Sequence, residues 1–356
     1  MKRILLFIDM LNSGGAQRQL VELAKLLKEK GYYVKVIVYY DFPFYKSTLD
    51  KSNIENEVVR GADSSYKRLF KIGEVIKTYK PDVVISYLDT PNIISCILKA
   101  TCIIKCPLIV SERNTTQTLS HREKLKFFLY KWATKIVPNR NSQHEFIANN
   151  YPKFLSKTIT ITNFVDTNYF TPDKHKIGDI KNIICVGRIW EQKNVKRFIN
   201  VIERLKRNRN DFHIRWYGKN MGVYGDECQT ALKDKGLCDV FEFCQPDNNI
   251  RDRYQESDLF CLPSIYEGFP NVLCEAMCCG LPVLCSAVCD NPSIVEDSIN
   301  GFLFDPFDED DIYNIISKIL DLDNSQIESM GNNSRELALQ KFSKDEFVKR
   351  YVDLFV

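Results

Sequence analysis

The chain has 356 residues, of which 44% are apolar and 27% charged, a balance typical of a globular protein with two domains. Its formal net charge of +3 hides an asymmetry, because residues 1–165 carry 26 Lys and Arg against 14 Asp and Glu, whereas the remainder carries 23 against 32. The basic half is therefore expected to face an anionic partner, and charge alone leaves nucleic acid, a membrane surface and a phosphorylated acceptor open.

The cysteines and the most apolar segment argue against several classes of protein. The thirteen cysteines are an odd number, show no C-x2-C spacing and lie mostly in apolar runs, so neither disulfides nor a zinc site is expected. No secretory signal is recognisable, and reduced thiols in a cytoplasmic protein are predicted. The apolar span 93–110 is interrupted by Lys99 and Lys105 and is predicted to be a helix and a strand rather than a membrane crossing.

Short apolar runs alternate with amphipathic stretches along the whole chain. Such runs predict buried parallel strands, and the helices between them predict a doubly wound α/β sheet. The predicted strands are RILLFI, YVKVIVYY, PDVVISY, PLIVSE and ATKIVPN in the first half, and KNIICVGR, FHIRWYG, VFEFC, DLFCLPS, PVLCS and GFLFDP in the second. The pattern therefore predicts two Rossmann-like domains facing across a cleft, with a connector at 162–182 and a last helix at about 344–355.

Functional side chains of open α/β sheets gather beyond the carboxyl ends of the strands. This rule selects residues 12–16, 87–89, 111–114, 187–193, 218 and 264–271. In the first of these segments, NSGGAQRQL opens a helix after a strand, and its adjacent Gly14 and Gly15 would let the backbone approach a ligand closely. The segment lacks the G-x-G-x-x-G fingerprint of dinucleotide sites, and a simple structural turn is an equal alternative.

Two charged pairs follow predicted strands. VGRIWEQKNV places Arg188 after a strand and Lys193 five residues later, which suits a diphosphate, although a solvated loop would look the same. SERN places Glu112 and Arg113 beyond another strand, where they would bind a substrate hydroxyl or phosphate or form a surface ion pair. The acidic groups at 308–310 and 321–323 flank a predicted helix and are predicted to cap it rather than hold a metal.

The segment HREKLKFFLYKWATKIV is amphipathic. Its i, i+3, i+4 spacing predicts an apolar stripe packed on the core, formed by Leu125, Phe128, Leu129, Trp132, Ala133 and Ile136. The other side chains predict a basic and aromatic outer face, formed by Arg122, Lys126, Phe127, Tyr130 and Lys131. That outer face is either ordinary solvent surface or a contact with anionic lipid.

The segment YEGFPNVLCEAMCCGLPVL predicts a helix from Pro270 to Cys279. Pro270 suits a first helical position, Gly280 suits a C-terminal cap, and the proline that follows prevents continuation. Glu267 lies on the loop before this helix, and Glu275 lies in its second turn. Because a helix N-terminus favours phosphate and two carboxylates suit hydroxyls, the combination indicates a site for a nucleotide-linked sugar.

Several segments together resemble glycosyltransferase family 4, a group of retaining enzymes with the GT-B fold, in its group 1 bacterial polysaccharide type. The matching segments are GGAQRQLVELA, NFVDTNYFTP, VGRIWEQKN, DLFCLPSIYEGFPNVLCEAMCCGLPVLCS and INGFLFDP. The resemblance spans nearly the full length, and its second half is the more specific. It implies an acceptor-binding domain at 1–165, a donor-binding domain at 166–340, and a terminal segment at 341–356 whose helix crosses back to the first domain.

The resemblance also implies roles for single residues. Glu275 would bind the nucleotide ribose, Glu267 would lie against the transferred sugar, and Arg188 with Lys193 would hold the diphosphate. Backbone groups would approach the sugar and phosphate at Gly268, Phe269, Pro270 and Asn271. Gly14 and Gly15 would complete the cleft from the acceptor domain. No cofactor and no metal is expected, because the two basic side chains and the helix end supply the positive field.

The implied reaction is transfer of a sugar from a nucleotide diphosphate sugar, with a UDP-sugar favoured, to a glycan or lipid-linked acceptor. The enzyme would be cytoplasmic, and its basic first domain would rest on the anionic inner face of the cell membrane. The chain departs from the family pattern at three places. It has Glu112 and Arg113 where many relatives have a histidine, Gln245 for a glycine after the F-x-F strand, and Phe164 for the glycine of N-G-V-D.

Three other functions remain as alternatives. A GT-B epimerase or hydrolase would need a water-activating group, for which no candidate stands out. A non-catalytic scaffold that binds nucleotide sugars is disfavoured by the intact Glu267, Glu275, Arg188 and Lys193. A nucleic-acid partner is not expected, since no recognition motif accompanies the basic half. Turnover separates the enzymes from the scaffold, and salt-sensitive vesicle binding separates membrane from nucleic acid. The donor sugar, base, acceptor, linkage and oligomeric state stay open.

Overall fold

The computed structural model describes residues 1–61, 64–113, 120–173, 177–247 and 249–355, so that Asn114 of the selected segment 111–114 lies outside them. The chain divides into two compact units, one formed by Met1–Phe164 with Lys344–Val356 and the other by Val165–Ser343. Each unit contains a six-stranded parallel sheet with buried apolar clusters on both faces. The predicted pair of Rossmann-like α/β domains is therefore confirmed.

The first unit is built from strands that alternate with helices. Its elements are β1 (Arg3–Phe7), α1 (Gly15–Glu29), β2 (Tyr33–Val38), α2 (Lys46–Lys51), β3 (Glu55–Val58), α3 (Ser65–Tyr79), β4 (Val83–Tyr87), α4 (Asp89–Ala100), β5 (Leu108–Glu112), α5 (His121–Leu129), β6 (Lys135–Pro138) and α6 (Asn141–Asn150). The sheet order is β3-β2-β1-β4-β5-β6, with every pair parallel. Successive strand residues face opposite sides, so Ile4 and Leu6 join one core cluster while Leu5 and Phe7 join the other.

The second unit repeats the same alternation. Its elements are β7 (Lys181–Val186), α7 (Val195–Lys206), β8 (Phe212–Tyr217), α8 (Val223–Asp234), β9 (Phe241–Cys244), α9 (Ile250–Gln255), β10 (Leu259–Leu262), α10 (Asn271–Cys278), β11 (Val283–Ser286), α11 (Asn291–Ile294), β12 (Gly301–Phe304), α12 (Glu309–Leu320) and α13 (Asn324–Phe342). The sheet order is β12-β11-β10-β7-β8-β9, again parallel throughout. Since β7 and β10 are neighbours, the loops that follow them emerge side by side.

The last helix, α14 (Lys344–Val352), packs within the first unit. Its Phe347 and Tyr351 are buried in the core cluster that includes the apolar face of α1. Phe164, which stands where the family pattern has glycine, is buried in the same cluster, and its ring centroid lies 4.9 Å from that of Phe347. The large side chain at this position therefore fills the contact between the domain join and α14.

Capping residues set the ends of several helices. Pro270 is the N-cap of α10 rather than its first helical residue, and Gly280 follows the helix with φ +79°, a conformation that favours glycine. The side chain of Asp308 accepts two backbone N–H groups at the start of α12, and Asp323 forms a capping box at the start of α13. The predicted cap is confirmed for Asp308, whereas Asp323 caps the following helix α13 rather than the helix that the two acidic groups flank.

The predicted apolar stripe from Leu125 to Ile136 is confirmed only in part, because Leu129, Ala133 and Ile136 are buried in the core whereas Leu125 and Phe128 are not. Helix α5 ends at Leu129, a 3-10 turn spans Tyr130–Trp132, and β6 follows, so one helical period does not run through the segment. Leu125 and Phe128 are each 54% exposed, whereas Lys126, Phe127 and Tyr130, predicted to face outward, are buried. The ion pairs of Lys126 with carboxylates beneath it account for this inverted orientation.

Candidate functional site

The predicted residues of the second unit meet at the carboxyl ends of β7 and β10. Arg188 and Lys193 lie on the loop after β7, and Glu267 lies on the loop after β10. The side-chain amide of Gln192 donates to the carbonyl of Tyr266 at 2.9 Å, and the backbone N–H of Ile265 donates to the carbonyl of Gln192 at 2.8 Å. These bonds join the two loops.

Glu267 is held between two donors. Its Oε1 accepts hydrogen bonds from Lys193 Nζ and from Ser264 Oγ, both at 2.5 Å. The side chains of Lys193 and Glu267 are only 12% and 9% exposed, so the ion pair is largely withdrawn from water. Ser264 is buried, and its carbonyl accepts the hydroxyl of Ser286 at 2.6 Å, which fixes the loop on β11. A charged pair in such a setting is stabilised only when its hydrogen bonds are well formed, as they are here.

Glu275 lies on the buried side of α10. The hydroxyl of Tyr254, on α9, donates to Glu275 Oε2 at 3.3 Å. Burial raises the pKa of Tyr254 well above its usual value, and the nearby Glu275 carboxylate adds to the shift, so the tyrosine remains a donor. No sequence pattern indicates this contact, because the two residues are 21 positions apart and lie on different helices.

Glycines allow the loops after β7 and β8 to approach each other. A Cβ on Gly218 would lie 1.9 Å from the carbonyl oxygen of Gly187, so a side chain at position 218 would clash with that loop. The same carbonyl oxygen accepts a hydrogen bond from the indole N–H of Trp216 at 2.8 Å. A Cβ on Gly187 would lie 2.8 Å from Cε of Lys193. The missing side chain at Gly187 therefore leaves the space through which Lys193 reaches Glu267. Arg188, the next residue, is exposed.

The segment between Glu267 and α10 presents mainly backbone. Phe269 is buried, with its ring centroid 5.9 Å from that of Phe342, and Pro270 is buried as well. Gly268 and Asn271 are half-buried, and the N–H of Asn271 bonds to the carbonyl of Phe269 at 2.9 Å. The side chain of Phe269 thus anchors the segment in the core, beside the amino-terminal end of α10.

The glycines of the first unit lie where the sequence predicts them, at the start of α1. Gly14 is the N-cap, and a Cβ there would lie 2.2 Å from Oε1 of Gln17, whereas no heavy atom lies within 4 Å of a Cβ on Gly15.

Asp9 follows β1 at the same edge, and its Oδ1 accepts the N–H of Met10 at 2.8 Å. Burial raises the pKa of the Asp9 carboxyl. Sequence reasoning missed this acid.

Glu112 and Arg113 both bond inside the first unit. Glu112 is buried and accepts from Lys126 Nζ at 2.8 Å and from the hydroxyl of Tyr130, and burial raises its pKa while Lys126 opposes the shift. Arg113 donates to the hydroxyls of Tyr87 and Tyr351 at 2.6 and 2.7 Å. These contacts give both residues a structural role, and the acceptor-side role stays a prediction.

Among the residues that the structure describes, no group of three or more His, Cys, Asp and Glu side chains is placed to hold a metal ion. Across the same ranges, no helix combines the length and the apolar character that a membrane crossing requires.

All thirteen cysteines are unpaired thiols, and Cys289 accepts the backbone N–H of Glu267 on its sulfur at 3.5 Å. A cysteine therefore borders the site, which the sequence alone did not indicate.

The sequence is similar to a family model and to known bacterial enzymes that are all glycosyltransferases. Residues 170–337 match the family model of glycosyl transferases group 1. The chain is 27% identical, over 98% of both sequences, to a Campylobacter jejuni alpha-1,4-N-acetyl-D-galactosaminyltransferase that acts on a diphosphoundecaprenol-linked glycan. It is 26% identical to an Escherichia coli UDP-Gal:alpha-D-GlcNAc-diphosphoundecaprenol alpha-1,3-galactosyltransferase, over 82% of this chain and 79% of the relative.

Solved structures show the same fold. A glycosyltransferase from Rickettsia africae has a TM-score of 0.87 at 19% identity, over 99% of this chain and 97% of the other. Anabaena HepE in complex with UDP has a TM-score of 0.85 at 19% identity, over 99% of both chains. Residues 170–337, most of the second unit, carry the match to this family model, and the two α/β units of the chain have the GT-B fold of these solved structures.

Proposed function

We propose that this enzyme transfers a sugar from a nucleotide diphosphate sugar to a glycan or lipid-linked acceptor in polysaccharide or glycoconjugate biosynthesis, with retention of anomeric configuration. The observation that carries the proposal is the buried Lys193–Glu267 pair, fixed by Ser264, at the carboxyl ends of β7 and β10. In the same unit, Glu275 projects from α10, whose amino-terminal end follows Glu267 by four residues.

The donor would be bound by charge and by hydroxyl contacts. Lys193, the exposed Arg188 and the N-terminus of α10 supply positive field for a diphosphate, so the mechanism does not need a metal. Glu275, oriented by Tyr254, suits the two ribose hydroxyls. A uracil base is favoured because one relative is named for UDP-Gal and the HepE structure contains UDP.

The reaction would proceed by attack on the same face of the sugar from which the diphosphate departs. The bond between the anomeric carbon and the phosphate oxygen breaks, a bond to the acceptor oxygen forms, and the acceptor proton passes to the leaving phosphate. Negative charge grows on that phosphate, and one preorganised donor such as Lys193 contributes ~3 kcal/mol to its stabilisation. Glu267 would lie against the sugar, where its carboxylate stabilises positive charge at the anomeric carbon.

The acceptor would be lipid-linked, as the names of the Campylobacter and Escherichia relatives state for those enzymes. The enzyme would then work in the cytoplasm, peripherally on the inner face of the membrane, with its basic first unit toward the anionic surface. Nucleic acid is not proposed as a partner.

A transfer assay tests this function. The protein is incubated with a panel of UDP- and GDP-sugars and with polyprenyl-diphosphate-linked sugars, and the product is examined by proton NMR. One donor is expected to give a new glycosidic bond of the same anomeric configuration as the donor. An inverted product would refute retention, and nucleotide-sugar binding without transfer or hydrolysis across the panel would favour the scaffold function.

Ser264 provides a narrower prediction. Ser264→Ala removes one of the hydrogen bonds that Glu267 Oε1 accepts, so turnover is expected to fall about tenfold because the carboxylate loses part of its orientation. Affinity for the nucleotide should remain close to that of the wild type. The matched control is Ser293→Ala, which removes a hydroxyl bonded to the carbonyl of Asp290. Steady-state kinetics and calorimetry check both variants, and unchanged turnover in Ser264→Ala would contradict the positioning role.

A further inference from the structure

Three helices of the first unit cover the same face of its sheet. Buried side chains of α3, α4 and α5, including Ile72, Cys96 and Phe127, belong to one core cluster. The cluster also contains Leu5 and Phe7 of β1, which lie on that face of the sheet. The opposite sides of α3 and α5 therefore point away from the sheet in a common direction.

The outward side of α5 combines apolar and basic groups. Leu125 and Phe128 are each 54% exposed, and Lys124 and Lys131 are exposed beside them. The Nζ of Lys131 lies 4.1 Å from the ring centroid of Phe128 and 4.0 Å from that of Trp132. This is the side of the helix that sequence reasoning assigned to the core.

The acidic side chain of α5 does not share that outward side. Glu123 Oε2 lies 2.7 Å from the buried Lys126 Nζ, so its carboxylate is directed inward, toward a lysine that also pairs with Glu112 and Asp89. The outward side of α5 and of the 3-10 turn that follows it thus carries the positive charges of Lys124 and Lys131, and Glu123 is the one carboxylate of these two elements. This side therefore presents apolar and positively charged groups to an anionic surface.

Helix α3 repeats this combination. Tyr66 is 79% exposed and Phe70 57%, and Lys67 and Lys71 are exposed on the same helix. Glu74 pairs with Lys71 at 3.2 Å, which leaves Lys67 as the stronger local positive charge. Two helices of one layer therefore each expose two large apolar side chains flanked by lysines.

We propose that this surface, defined as Tyr66, Lys67, Phe70, Lys71, Lys124, Leu125, Phe128 and Lys131 and called the lipid face, rests on an anionic bilayer. The aromatic and aliphatic groups would enter the headgroup boundary, and the lysine stems would lie along it with their ammonium groups at lipid phosphates. The proposal deepens the membrane contact given under the proposed function by naming the surface that makes it.

Charge favours lipid over a protein partner. The lipid face carries four lysines, and lysine is depleted in the cores of protein interfaces, whereas each basic residue near an anionic bilayer strengthens binding to it. The unit as a whole is also basic, since residues 1–165 carry 26 Lys and Arg against 14 Asp and Glu, and residues 344–356 carry three of each. Both the local and the overall field are thus complementary to anionic lipid.

Vesicle sedimentation tests the lipid face. The full chain is expected to sediment with vesicles of phosphatidylglycerol and phosphatidylcholine, and much less with phosphatidylcholine alone. The apolar variant Leu125→Ser with Phe128→Ser, and the charge variant Lys124→Glu with Lys131→Glu, are each expected to lower partitioning about tenfold or more. The matched control for the charge variant is Lys28→Glu with Lys51→Glu, which changes two exposed lysines at the ends of α1 and α2. The buried residues of α1 and α2 belong to the core cluster on the opposite face of the sheet, so this control makes the same change in net charge away from the lipid face.

Three outcomes would overturn the proposal. The wild type could fail to sediment with anionic vesicles, which would leave the face to a protein partner. The control pair could lose as much binding as the charge variant, which would show that net charge alone acts. The apolar variant could bind as the wild type does. Circular dichroism and UDP calorimetry on each variant show that folding and the nucleotide site are intact, so failure here is distinguishable from failure of the proposed transferase function.

Discussion

Replacing Lys193 with methionine is expected to lower kcat/KM for sugar transfer by about 10²–10³-fold, because a preorganised positive group at the leaving diphosphate is lost. Methionine preserves most of the side-chain length in the space beside Gly187. The control is Lys196→Met, which removes a neighbouring lysine whose partner Glu227 is largely exposed, as is Lys196 itself. That control should retain nearly full activity in the same steady-state assay.

Loss of Lys193 also removes an ion-pair partner of Glu267, and a second variant separates this effect from catalysis. In Lys193→Met with Glu267→Gln the buried charge is gone, so thermal stability should return toward the wild-type value. Activity should not return, since both groups are proposed to act on the substrate. A double variant that regains activity, or a single variant within about threefold of wild type, would contradict the assigned role.

The second large effect concerns the stability of the first unit. Lys126 is 1% exposed, and its Nζ lies 2.8 Å from Glu112, 3.1 Å from Asp89 and 2.7 Å from Glu123. Lys126→Met removes the positive charge that pairs with the fully buried Glu112, and the free energy of unfolding is expected to fall by about 3–5 kcal/mol. Denaturant unfolding measures the loss, with exposed Lys124→Met as the control.

The pH dependence of that loss identifies its cause. Burial raises the pKa of Glu112 above its ordinary value even with Lys126 present, and removing the lysine raises it further. Between the unfolded and folded pKa values the native state then binds more protons than the unfolded state, so stability rises as pH falls. The deficit of Lys126→Met should therefore shrink in acid, and it should shrink at neutral pH when Glu112→Gln is added. If the loss of stability in Lys126→Met changed neither with pH nor on adding Glu112→Gln, the buried Glu112 carboxylate would not be its cause.

Apolar runs were sufficient to predict most of the fold. Each of the eleven predicted strands is present, because a buried parallel strand must be apolar on both faces. The strand that the sequence reasoning missed is β3, with the sequence ENEV, which lies at the edge of its sheet and pairs only with β2. An edge strand needs less apolar surface, and its alternating polar residues give no continuous run.

The orientation of α5 could not be predicted from spacing. A period of 3.6 residues suggested that Leu125 and Phe128 face the core, yet the helix ends at Leu129 and Lys126 turns inward. Two of the partners of Lys126, Glu112 and Asp89, come from β5 and α4, so its burial depends on contacts between distant segments. A sequence pattern of one helix does not contain that information.

The sequence was sufficient to select the main residues of the candidate site, but not the contacts between them. Strand ends and the cap chemistry of α10 selected Arg188, Lys193, Glu267 and Glu275. The bond between Lys193 and Glu267 joins residues 74 positions apart, and it arises only because β7 and β10 are neighbours in the sheet. Ser264 and Tyr254 orient the two glutamates through tertiary contacts. The strand-end rule selected the segment that contains Ser264 but not its bond to Glu267, and no motif indicated Tyr254.

Calorimetry of nucleotide binding tests the central claim most directly. UDP is titrated into the wild type and Glu275→Ala, with GDP as the comparison ligand and the exposed Glu328→Ala as the control variant. UDP is expected to bind the wild type and the control alike, and to bind Glu275→Ala more weakly by ~1–3 kcal/mol, because the ribose loses its buried hydrogen-bond partner. Binding of GDP instead of UDP would change only the donor base. Absence of binding by both nucleotides, or equal affinity in Glu275→Ala, would contradict the donor site proposed for the second unit.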